Sequence, residues 1–70
     1  MEAIKLLKLY RNGLAEKTVI EIRLNNYTQK VVKYTNIEEL DKEELLHHKI
    51  QDWFIGSSIT DGEIIINVKE

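Results

Sequence analysis

Two stretches far apart in the chain alternate apolar and polar side chains with a period of two, and that pattern commits them to a sheet. In residues 18–24, Thr18, Ile20, Ile22 and Leu24 alternate with Val19, Glu21 and Arg23. In residues 63–69, Ile64, Ile66 and Val68 alternate with Glu63, Ile65, Asn67 and Lys69. Successive side chains along a strand point to opposite faces, so each run presents one apolar face. Both runs are rich in β-branched residues, which suit strands. Asn25-Asn26-Tyr27 reads as a turn, because Asn tolerates left-handed backbone. Residues 30–34 then return as a second strand and close an antiparallel hairpin. Asp61-Gly62 is a favoured hairpin pair, and it offers residues 57–60 a way to pair back onto the last strand.

The remaining segments read mainly as helix. Ala3, Leu6, Leu7 and Tyr10 fall on one helical face, with Lys5 and Lys8 off it. Glu2 in the first turn and Arg11 in the last suit the helix dipole, and Asn12-Gly13 reads as a stop. Helix is therefore favoured over residues 1–11. The rival is a strand that turns at Asn12-Gly13. Thr35-Asn36-Ile37-Glu38 has the form of a capping box. It predicts a short turn over residues 36–40, then a main helix from Asp41 through His48. Leu45, Leu46, Ile50 and Trp53 would share its apolar face. Past His48 two continuations stand: more helix to Ile55 with Gly56 as its stop, or a strand over residues 50–59.

The expected architecture is a single small α+β domain over residues 1–70. Three to four strands form an antiparallel sheet with one main helix packed on one face. A second short helix stands at the N-terminus in the favoured reading of residues 1–11. The helix covers Ile20, Ile22, Leu24, Ile64, Ile66 and Val68. It leaves Val19, Ile65 and either Val31 or Val32 on the far face.

A chain of 70 residues buries only about 60% of the surface its unfolded form exposes. Its core alone rarely supplies more than about 3–5 kcal/mol of net stability. The chain has no cysteine, so disulfides and thiolate zinc sites are excluded as staples. A well-packed core, a dimer or a partner remains. The missing cysteines fit a reducing cytoplasm, which is the expected location. Lys5 and Lys8 interrupt the N-terminal segment, so no signal peptide is expected there. No apolar run reaches bilayer-spanning length, and a soluble protein without membrane contact is expected. The formal net charge of −2 is small: a general nucleic-acid binder is usually basic and a DNA mimic far more acidic, and local patches, which matter more than totals, leave both classes open.

No constellation of residues specifies a reaction. His47 and His48 are neighbours and would point about 100° apart on a helix, so they cannot readily chelate one ion. Glu44, His48 and Asp52 would share one helical stripe, yet strong metal sites show three or four ligands at fixed spacings. Ser57 or Ser58, a histidine and Asp61 could be written as a hydrolytic triad, but the strand–turn–helix context of a nucleophile is missing. No enzyme activity, cofactor, metal or small-molecule substrate is expected. Trp53 and Phe54 read as packing residues.

Two charged sets suggest partners. Glu38, Glu39, Asp41, Glu43 and Glu44 suit helix starts, and Glu39, Glu43 and Glu44 could also meet a basic partner. Lys5, Lys8 and Arg11 recur three apart. Lys30 and Lys33 are read on one face of their strand, near Tyr27 and Tyr34. A nucleic-acid-associated regulator using these five cations is the alternative function. The leading expectation is a non-catalytic protein–protein interaction module of accessory or regulatory type. It would act on a partner or as a homodimer, with Val19, Val31 and Ile65 in a sheet-mediated contact.

Overall fold

Ala3–Leu9 forms the first helix, α1, in a computed structural model that describes residues 1–14, 17–56 and 62–70. A 3-10 turn at Arg11–Gly13 ends it. Strands β1 (Val19–Leu24) and β2 (Tyr27–Lys33) follow. A single helical turn, α2 (Ile37–Leu40), and a 3-10 turn at Glu44–His47 lead to β3 (Ile50–Ile55) and β4 (Glu63–Val68).

The β1–β2 hairpin forms where the alternation and the Asn pair place it. Asn25 and Asn26 have φ of 54° and 67°, the left-handed values that a two-residue hairpin turn with native twist requires. The sheet order is β2-β1-β4-β3. β1 pairs antiparallel with β2, and β3 pairs antiparallel with β4. The two central strands, β1 and β4, run parallel, with Ile20 opposite Ile64 and Ile22 opposite Ile66. The sheet is therefore mixed, and the expected purely antiparallel arrangement is corrected at its centre. The reason is topological. After β2 the chain crosses the sheet through α2 and the second 3-10 turn, lays down β3 at the far edge, and returns as β4 beside β1.

The covering helix also differs from expectation. α1 lies over the sheet and buries Ala3, Ile4, Leu6 and Leu7, one stripe at helical spacing. Glu2 is the residue that caps α1 rather than a member of its first turn. The expected main helix from Asp41 through His48 is absent. In its place stands the 3-10 turn at Glu44–His47, while the expected short turn over residues 36–40 is α2; together they send Ile37, Leu40 and Leu46 into the same core. The cap also shifts by one residue: Asn36, not Thr35, accepts the Glu39 amide, at 2.8 Å. Beyond His48 the strand reading holds through Ile55, and Gly56 is no helix stop. The strand pairs antiparallel with β4 and makes β4 an interior strand of the sheet. The suggested strand over residues 57–60 lies outside the described residues.

One core results. Ile20, Ile22, Ile64, Ile66 and Val68 form its floor and α1, α2 and Leu46 its roof. Trp53 stands at the rim rather than the centre, half-buried, with its ring 5.6 Å from that of Tyr10. The start of the chain is stitched to the start of β3. Ala3 N–H donates to the His48 carbonyl at 3.0 Å, and Ile50 N–H to the Met1 carbonyl at 2.8 Å.

Candidate functional site

Among the described residues all helical structure lies on one side of the sheet, and none of it covers the other face. Register decides which side chains occupy it. Residues paired with Ile20 and Ile22 face the core, and their neighbours face away. The open face consequently carries three rows across the strands. Lys33, Val19 and Glu63 form the first. Val31, Glu21, Ile65 and Phe54 form the second, and Thr28, Arg23, Asn67 and Asp52 the third.

Val19, Val31 and Ile65, expected as contact residues from alternation alone, come together here. The choice between Val31 and Val32 is resolved: Val32 pairs with Ile20 on the core side, and Val31 stands 57% exposed on the open side. Phe54 joins them at 53% exposed. It was read as a packing residue, and strand alternation, which puts it opposite Ile65, is the signal that reveals it.

The polar residues of this face are organised. Thr28 Oγ1 donates to Glu21 Oε2 at 2.6 Å, and Arg23 forms an ion pair with the same carboxylate. The Thr28 hydrogen bond, and after it the Arg23 guanidinium, holds the Glu21 carboxyl below the usual range. Asn67, only 3% exposed, donates to Asp52 Oδ1 at 2.6 Å. Lys33 and Glu63, at opposite sides of the first row, have no ion-pair partner among the described residues.

The other candidates scatter. Glu39 pairs with Lys42 at 3.1 Å and Glu43 with Lys30 at 2.9 Å, while Glu44 stands exposed on the 3-10 turn. Two of the three acids proposed for a basic partner are thus already neutralised within the chain. Lys30 and Lys33 do not share a face. Lys30 pairs with Ile22 on the core side and Lys33 with Val19 on the open side, because residues three apart on a strand point oppositely. Lys8 lies 3.6 Å from Asp41, which removes it from a free basic stripe.

The Glu44, His48, Asp52 stripe does not exist, since no helix spans these residues. Glu44 is on the 3-10 turn, His48 Nδ1 meets the Lys69 carbonyl at 2.7 Å, and Asp52 is on the open face. Ser57, Ser58 and Asp61 lie outside the described residues. Among the described residues there is no pocket, no group of three potential metal ligands, and no helix long and apolar enough to cross a membrane.

His47 belongs to a different device, on the helical side. Its Nε2–H donates to the Asp41 carbonyl at 2.7 Å, while Nδ1 lies 3.6 Å from Glu2. The carbonyl bond, with Glu2 and the Asp41 carboxylate behind it, raises the imidazole pKa above its usual 6.5. A raised folded-state pKa means that protonation stabilises the fold. The contribution is complete below about pH 6.5, the unfolded value, and is lost as pH rises through the higher folded value. Thermal melts from pH 6 to 8 are expected to show falling stability that His47→Gln abolishes. An unchanged pH dependence in that variant would remove His47 as its source.

Comparison with protein-family models, with curated proteins and with solved structures finds no match for this chain.

Proposed function

We propose that this protein is a non-catalytic protein–protein interaction module and that the uncovered sheet face is its contact surface. The observation that carries this reading is the grouping of Val19, Val31, Phe54 and Ile65 on one face, with no helix over it among the described residues. Exposed apolar side chains grouped on one face with charged neighbours occur at association sites, although Glu21 stands between Val31 and Ile65 in the middle row. The aromatic ring of Phe54 and the guanidinium of Arg23 are of the kinds enriched at such contacts. A small core gives a further physical motive, because binding to the native state stabilises it. The nucleic-acid alternative has weaker support, since Lys8 and Lys30 already pair with acids and Lys30 and Lys33 point to opposite faces.

The test is site-specific crosslinking in the cells that make the protein. A photoreactive residue replacing Phe54 should give discrete protein adducts, whereas the same group at the exposed Glu38 on α2 should give none. Equal labelling from both positions, or none from Phe54, would count against the open face as the contact surface.

A further inference from the structure

The open face is not evenly charged. Its β1–β2 half carries Lys33 and Arg23, and its β4–β3 half carries Glu63 and Asp52. Glu21 is the exception on the first half, and Arg23 and Thr28 already hold its carboxylate. A face that is cationic on one side and anionic on the other is complementary to itself after one particular rotation. Two sheets packed face to face are related by an axis lying between them, in the plane of contact. If that axis runs along the strands, midway between β1 and β4, the halves exchange and opposite charges meet. If it runs across the strands, β2 lies on β2 and the charges do not pair.

We infer that the partner of this face is a second copy of the chain, stacked sheet on sheet about a two-fold axis parallel to the strands. This rests on the interaction-module reading above and names its partner. In this arrangement β2 of one copy covers β3 of the other. Val31 lies on Phe54 twice, once on each side of the axis. Lys33 reaches Glu63 and Arg23 reaches Asp52, again twice each. Aligned stacking of two twisted sheets is a common packing mode.

Two details fit. Edge-to-edge pairing is the less favoured route, because β2 carries Lys30 and Lys33, residues that blunt strand edges. The net charge of −2 per copy adds little general repulsion.

The contact is small. Four strands at about 4.8 Å spacing and six residues at about 3.3 Å rise give roughly 400 Å² of face per copy, below the size of stable specific interfaces and in the range of weak, transient contacts. The dimer is accordingly weak. It forms and dissolves within an accessible concentration range.

Sedimentation equilibrium on the full chain from about 10 µM to 1 mM tests this. The wild type should pass from monomer to dimer across that range. Lys33→Glu alone and Glu63→Lys alone should each weaken association at least tenfold, because like charges then face each other twice. An equimolar mixture of the two variants should recover it, since both contacts become opposite in sign. The double variant K33E/E63K should also recover it, and its dimer shows that neither substitution harms the fold. A wild type that stays monomeric at 1 mM overturns the inference, as do single variants that dimerise like the wild type. Crosslinking from position 54 separates the two levels. Adducts of twice the chain's mass support the second copy. Adducts only to another protein overturn it but leave the interaction reading standing, and no adducts at all sink both.

Discussion

Ile66→Ala is expected to leave the protein largely unfolded at 25 °C. Ile66 is fully buried at the middle of β4, between Ile22 on β1 and Trp53 on β3. Removing its outer carbons forfeits their transfer energy and opens a cavity under α1, a loss of about 2–5 kcal/mol. A core in a domain this small rarely supplies more than about 3–5 kcal/mol in total, so the loss is comparable with the whole. Ile65→Ala, one residue away on the open face, should cost under about 1 kcal/mol in the monomer, as surface substitutions do. Urea titrations followed by far-ultraviolet circular dichroism measure both. If Ile65→Ala proved the more damaging, the facing of β4 described above would be wrong.

Asp52→Ala should destabilise the fold by about 1–3 kcal/mol, the usual cost of leaving a buried polar group without a partner. Asn67 Oδ1 is buried and has no hydrogen-bond partner already. The amide depends on its one bond to Asp52, at 2.6 Å. Exchanging its oxygen and nitrogen would aim the oxygen at a carboxylate, so the observed orientation is the favoured one. Asp52→Asn keeps an acceptor and should cost less. In the double variant Asp52→Ala/Asn67→Val neither polar group remains, and most of the loss should be recovered. A double-mutant cycle read by thermal melts gives the coupling directly. Additive effects would show that the pair does not act as a unit.

Much of this architecture was legible because it follows from local periodicity. Alternation identified β1 and β4 and assigned Ile20, Ile22, Ile64, Ile66 and Val68 to one face. The Asn pair marked the hairpin, and helical spacing marked α1. The same alternation named Val19, Val31 and Ile65 as far-face residues, and the fold brings them together. What local patterns could not decide was the stretch from Asp41 to Ile55. Leu45, Leu46, Ile50 and Trp53 satisfy helical spacing. Ile50, Trp53 and Ile55 also satisfy strand alternation once the irregularity between Ile50 and Asp52 is allowed for. The deciding contact is the antiparallel pairing with β4, which no short window of sequence shows. The parallel pairing of β1 with β4 is non-local in the same way. Lys30 and Lys33 are three residues apart, which on a strand places them on opposite faces.

The parallel pairing at the centre also sets how the protein must reach its native state. The hairpin of β1 and β2 closes over a two-residue turn and can form early, on a microsecond scale. The contacts that bury Ile20 and Ile22 against Ile64 and Ile66 join opposite ends of the sequence. Such closures are slow relative to helical and hairpin steps. During synthesis on a ribosome β1 therefore waits for its central neighbour, with one edge unpaired and its apolar face exposed, until β4 has emerged. The interval before β4 is free to add is thus one in which this molecule is prone to aggregate.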